Sequence, residues 1–312
     1  MRITLGTDNG VWFVETDDPR QTGLAGRQVS HVAADDSVTL AAVAQDGLYV
    51  LDGTAERRIW EGDARSCAVA PDGAYYVGIE PAMILRSDDQ GAGWTRCDAI
   101  DHLPSREQWT FPPPPHEPHV LSIDFLPDDP AGILAGVEVG GVLLSRDRGG
   151  TWHELNAGVY ADIHSVRPDP SQPGRLLAVT GDGFYASETG GASWEKRMEG
   201  MGNWYTIGLH INPRRAGDVL VVAGDRPPGL NGRVYYSSDA GKSWEELNGA
   251  GLPAGNGRAP VPFFADGAAW LATEAGYLLR AADPRGEWRV VCELGTAINA
   301  VAAEGSPSSV MH

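Results

Sequence analysis

The sequence predicts an all-β fold, a seven-bladed β-propeller of four-stranded antiparallel blades, and three observations carry that prediction. A short pattern, Ser-x-Asp-x-Gly-x-x-Trp, recurs along the chain. Two short apolar strands precede each copy. Gly 40, Pro 22 and Trp 10 in 312 residues fit many short strands joined by tight turns.

The repeat is read first, because self-similarity at a fixed period constrains the fold more than local propensity does. It is complete at Ser87, Asp89, Gly91 and Trp94, at Ser145, Asp147, Gly149 and Trp152, and at Ser237, Asp239, Gly241 and Trp244. In a fourth copy, Ser187, Gly191 and Trp194, Thr189 replaces the Asp; a fifth is worn to Ala281, Asp283, Arg285 and Trp288. Ser and Asp side chains can bond nearby backbone N–H groups and hold a hairpin turn. Gly permits positive φ, and Trp is an apolar wedge between neighbouring sheets. The box aspartates therefore read as structural, not as catalytic acids. The pattern resembles the Asp-box, or BNR, repeat of sialidases, sortilin-type receptors and photosystem II assembly factor-like propellers. With its flanking strands the resemblance covers nearly the whole chain; it implies the fold strongly and the function weakly.

The blades follow in order. Five carry a box or its remnant, at 66–97, 119–156, 163–198, 205–248 and 261–293. Residues 28–62 repeat the strands without a box, and 3–15 repeat them once more. That first blade lacks its innermost strand. Residues 297–302, read as Ala-Ile-Asn-Ala-Val-Ala, are expected to supply it beside residues 3–7, making 1–312 one closed domain without exposed sheet edges.

With strands lettered A to D from the axis outward, the box turns (C–D) and the short A–B turns share one face. The opposite face is irregular. Its connection from about Asp98 to Pro118 holds Trp109, Phe111, the four consecutive prolines Pro112 to Pro115 and His116, and reads as a stiff, packed lid. Residues 224–233 and 252–260 are further long loops there, and such elaboration on a regular scaffold marks a binding side. Each B–C turn on that face supplies an acid: Asp8, Asp46, Glu80, Glu138, Asp182, Asp225 and Glu274, expected to ring the channel mouth. Asp46-Gly47 and Asp182-Gly183 are also ordinary hairpin pairs; turn chemistry does not ask for Glu, so Glu80, Glu138 and Glu274 are more informative. His116, His119, Asp162, His164, Trp204 and Tyr205 lie near the start of the inner strands, at the same mouth. His31 begins an inner strand too, and alone would be structural.

Three functions compete. The first is binding of a polar ligand, sugar or peptide-like, at the acidic His/aromatic mouth, with Glu80, Asp182, Asp225, Glu274, His116, His119, Trp109 and Trp204 as binding residues. The second is glycoside hydrolysis or lyase chemistry by Glu138 and Asp162, assisted by His164 and Tyr205. A sialidase proper is disfavoured: Arg58-Ile59-Trp60 lacks the Pro of the family's Arg-Ile-Pro motif, and no arginine triad is apparent. The third, compatible with either, is a divalent cation held by His116, His119 and His164 with Glu138.

A formal net charge of -18 argues against nucleic acid and anionic membranes as partners. No apolar run is long enough to span a bilayer. Three cysteines and no leader-like N-terminus make a cytoplasmic protein the expectation.

Overall fold

The computed structural model describes residues 1–15, 17–35, 37–53, 55–252, 257–303 and 310–311. Seven antiparallel sheets form a ring, six of four strands and one of five. In that fifth-strand exception, the first blade, Ile298–Ala303 lies beside Arg2–Thr7 with Ile3 opposite Ala303 and Thr7 opposite Ile298. The C-terminal strand thus closes the ring, as the sequence predicts. An unforeseen short strand, Val310–Met311, pairs with Ala300 and Val301 on the axial side of the same sheet. No helix among the described residues is long and apolar enough to cross a membrane.

The core is divided rather than continuous. Seven apolar clusters occupy the seven blade-to-blade interfaces. Between the third and fourth blades, for example, Tyr76 and Ile84 meet Val120, Leu143 and Trp152. Both faces of each sheet are covered, which is why the strands read as nearly continuous apolar runs. Cys67, Cys97 and Cys292 are free and buried in these slabs.

The recurring turns have the expected chemistry. Ser145 Oγ donates to Asp147 (2.8 Å) and accepts from the Gly149 N–H (2.8 Å), while Asp147 accepts from the Thr151 N–H (2.7 Å). Gly149 sits at φ 92°, a region costly for other residues. The Ser87 and Ser237 turns repeat this network. In the fourth copy Thr189 Oγ1 takes the Asp role and accepts from the Ser193 N–H at 3.0 Å. The worn copy keeps Asp283, which accepts from the Arg285 N–H, and a buried Trp288. The tryptophans differ in reach. Trp94, Trp194 and Trp244 donate to carbonyls of the preceding blade, at Ile59, Leu155 and Arg197. Trp152 and Trp288 donate within their own turns.

At the axis the inner strands are tied sideways. Ser66 Oγ donates to the Val120 carbonyl (2.7 Å), and Ser122 Oγ accepts from the Val166 N–H (3.2 Å). His31 Nδ1 accepts from the Cys67 N–H, and His210 Nδ1 from the Phe264 N–H. These strands crowd. A Cβ at Gly136 would lie 2.6 Å from Ser122 Oγ and 2.7 Å from Ile163 of the next blade.

Ser145→Ala should cost about 1–3 kcal/mol, because the Gly149 N–H is left buried without an acceptor. Urea denaturation at neutral pH measures this; an unchanged midpoint would show that the turn does not depend on the hydroxyl.

Candidate functional site

The candidate site lies at the ends of the blades away from the box turns. In the fourth blade, His119 opens strand A opposite Glu138 at the end of strand B. Ser145, the start of the box, pairs with Ile133 at the other end. The same mouth carries a repeated irregularity. In four consecutive blades the register of strand A slips by one residue near its start, at Arg65, Leu121, His164 and Ile207. Bulges of this kind re-aim side chains beside functional sites. His164 is the bulged residue of the fifth blade, and its ring leaves the sheet's alternation.

Its orientation is fixed by the neighbouring blade. His164 Nδ1 lies 2.5 Å from the Thr206 carbonyl oxygen, so Nδ1 carries the proton and donates. Nε2 then faces two carboxylates, 3.6 Å from Asp162 Oδ1 and 3.8 Å from Glu138 Oε1. Both gaps are too long for a hydrogen bond, and Nε2 and Asp162 Oδ1 are buried with no hydrogen-bond partner. Glu138 Oε2 is approached by His119 Nε2 at 2.6 Å, and His119 Nδ1 stands 3.2 Å from Glu80 Oε2. Glu80 in turn pairs with Arg65 at 2.6 Å, and Arg65 with Asp63 at 2.8 Å. One polar chain therefore crosses the third, fourth and fifth blades. A Cβ at Gly181 would overlap the Asp162 carboxylate, so this glycine lets the acid press against its own blade.

Aromatic rings frame the cluster. Tyr205 packs on His164 with centroids 4.8 Å apart, and Trp204 stands edge-on to Tyr205 at 5.8 Å. Burial, reinforced by Asp162 and Glu138, pushes the Tyr205 hydroxyl pKa up, so it stays protonated. Phe111 meets the His119 ring edge at 4.7 Å. Phe111 belongs to the 98–118 connection, which folds as two 3-10 turns, Asp98–His102 and Arg106–Gln108. Trp109 is buried in the interface of the third and fourth blades, and its Nε1 donates to Ser105 Oγ. Thr110 and Val139 exchange backbone bonds at 3.3 Å, fastening the segment across the Glu138 turn.

The other acids of the mouth are engaged within or between blades. Asp182 bonds Lys196 and Tyr185 on the outer strands of its own blade, and Lys196 first, then Tyr185, holds its carboxyl below the usual range. Asp46 is held the same way by Tyr49 and Arg58, with Arg27 beside it. Asp225 accepts from Asn231 at 2.6 Å, Glu274 from the Arg258 N–H at 3.2 Å, and Asp8 from Asn299 at 3.0 Å. The loops at 224–233 and 257–260 are bridged through Leu230 and Arg258; residues 253–256 lie outside the described residues. His116 stands apart. It is exposed, and its Nδ1 bonds the Phe111 carbonyl at 2.9 Å. Among the described residues, the group whose donor atoms converge as metal ligands do is Glu138, Asp162 and His164, all within 4.8 Å of one another. His119 supports that group from behind, and His116 is not part of it.

A feature that sequence reasoning missed lies on the box side of the axis. A cavity of about 730 Å³ there is lined by Ala34, Ala70, Pro127, Pro168, Asp124 and Arg167, among others. Arg167 is buried 3.5 Å from Asp124. Burial, with Arg167 adding to it, lowers the His31 and His210 pKa values to about 3, so both are neutral scaffold groups.

No family model and no curated protein sequence matches the chain. Solved structures do. A GH74 xyloglucanase from Xanthomonas campestris superposes with TM-score 0.69 at 17% identity, over 93% of this chain and 52% of that one. An ancestral GH74 enzyme gives 0.67 at 18%, over 90% and 40%, so this chain spans less than half of that protein. YCF48 bound to D1 peptide gives 0.59 at 18%, over 85% and 82%. At these identities the likeness establishes the class, a seven-bladed β-propeller.

Burial raises the Asp162 carboxyl pKa; His164 opposes the shift and Glu138 adds to it. A raised folded-state pKa means the native protein holds the proton longer than the unfolded chain does. Stability then falls as pH climbs above about 3.9, the unfolded value. Asp162→Asn should therefore be more stable than wild type at pH 7, with the gain vanishing below about pH 4. Urea midpoints across that range test this; a variant equally or less stable at pH 7 contradicts it.

Proposed function

We propose that the chain is an Asp-box propeller that binds a polar ligand, sugar or peptide-like, at the mouth formed by the fourth to sixth blades. One observation carries the reading. Trp204 is 46% exposed and Tyr160 48% exposed, the two large aromatic side chains among the described residues that stand open to water. They flank Tyr205, behind which lies the buried carboxylate–histidine cluster. An aromatic plane open to water, backed by fixed polar groups, suits the apolar face and hydroxyls of a sugar, or a side chain and amide of a peptide. The acidic mouth favours neutral or cationic ligands over anionic ones. The YCF48–D1 peptide complex and the xyloglucanase show that propellers of similar shape take such ligands, and this supports the reading by analogy.

A second reading, glycoside hydrolysis, is favoured by the Glu138–Asp162 pair. One carboxyl has its pKa raised and the other stands within 4.8 Å, the arrangement of an acid with a partner carboxylate. The covering segment and the burial of both groups weigh toward binding, since a polysaccharide needs an open cleft.

Glycan and peptide arrays probed with wild type and Trp204→Ala decide the first reading. Loss of an exposed aromatic anchor should weaken the bound class about tenfold or more. Binding that is unchanged in Trp204→Ala, or absent for both classes, would refute it. Turnover of an array hit that disappears in Glu138→Gln while binding persists would establish the second.

A further inference from the structure

We propose that Glu138, Asp162 and His164 form a binding site for a divalent transition-metal ion of the zinc or manganese type. It shares the location of the proposed ligand mouth but does not require the organic ligand. Three independent features point to it.

The first is spacing. His164 Nε2 sits 3.6 Å from Asp162 Oδ1 and 3.8 Å from Glu138 Oε1. Those distances exceed hydrogen-bond range. Two ligand atoms each about 2.1 Å from a tetrahedral ion stand about 3.4 Å apart. The three groups are therefore placed around a common point rather than against one another, and small side-chain rotations complete the fit.

The second is the unmet hydrogen-bonding capacity of a buried group. His164 is 6% exposed, and its Nε2 has no hydrogen-bond partner although it points at the cluster. With Nδ1 donating to Thr206, a neutral ring presents the Nε2 lone pair to that point. A lone pair facing two carboxylates is repelled unless a cation or a proton stands between them.

The third is the support behind the donors. A metal-binding imidazole commonly donates its other N–H to a carbonyl or carboxylate, and ligating carboxylates are themselves held. His164 meets the first condition through Thr206. Glu138 meets the second through His119, which stands against Glu80 and so against Arg65. Three protein donors leave the fourth position of a tetrahedral ion to water or a bound ligand, and Tyr205 packs on His164 beside it. One imidazole with two carboxylates favours zinc, manganese or ferrous iron over magnesium and calcium, which take oxygen donors.

The test uses the full chain, stripped with chelator and then titrated calorimetrically with zinc chloride, manganese chloride and, as a control, magnesium chloride. The expected result is one zinc or manganese ion per chain with weak or no magnesium binding. His164→Gln and Glu138→Gln should each weaken that binding at least tenfold, while Asp46→Asn, at a distant mouth acid, should leave it unchanged. Circular dichroism confirms that each variant is folded. Cobalt substitution supplies a second readout, a visible absorption band present in wild type and lost in His164→Gln. Absence of saturable zinc and manganese binding, or binding that survives intact in a folded His164→Gln/Glu138→Gln double variant, would overturn the proposal. Array binding by the stripped protein is scored separately, so the ligand reading can stand or fall independently of the metal.

Discussion

At the axis of a propeller the inner strands converge, and the buried polar groups they carry must find partners sideways, because a buried polar group left unpaired costs free energy. That constraint organises this molecule. Ser66, Ser122, His31 and His210 each meet a backbone group of the adjacent inner strand. His164 joins the set through Thr206, but as a donor rather than an acceptor. The difference matters chemically. The other two histidines fix neighbouring strands with Nδ1 as acceptor, whereas His164 fixes its neighbour with an N–H and leaves a basic nitrogen aimed at Asp162 and Glu138. One side chain thus serves the scaffold with one atom and the site with the other.

The two faces divide the remaining work. On one, repeated Ser–Asp–Gly turns satisfy their own backbone and send tryptophans into the blade interfaces. On the other, bulges in four successive inner strands turn residues out of the sheet. Regularity gives stability; irregularity supplies side chains that no sheet could otherwise aim. The cluster carries a stability cost, because a carboxyl whose proton is held by burial is a group the fold would be better without at neutral pH.

Much of this was legible from residue types and spacing. The box pattern fixes the blade period, and its turn chemistry follows from Ser, Asp and Gly. The strand at 298–303 could be matched to Arg2–Thr7 because it reads like the other inner strands. That the 98–118 segment packs against the blades was visible in its aromatics. Four things were not legible. A register slip has no sequence mark, so the re-aiming of His164 could not be read. The evenness of the acid ring was misleading, since Asp46 and Asp182 are held by outer-strand partners while Glu80 and Glu138 stand against His119. His116 and His119 are close in sequence but point to different places, one into solvent and one between two glutamates. The Arg167–Asp124 pair escaped notice because mid-strand charges look like exposed residues until the axis is built.

The site depends on which nitrogen of His164 carries the proton. Imidazole nitrogen–proton correlation spectra of the ¹⁵N-histidine-labelled protein, assigned with a His164→Gln control and recorded where the ring is neutral, report this directly. The Nδ1–H form, with Nε2 bare, is the result required by the bond to Thr206. An Nε2–H signal would mean that the ring does not face the carboxylates as a base, and the site as described would not exist.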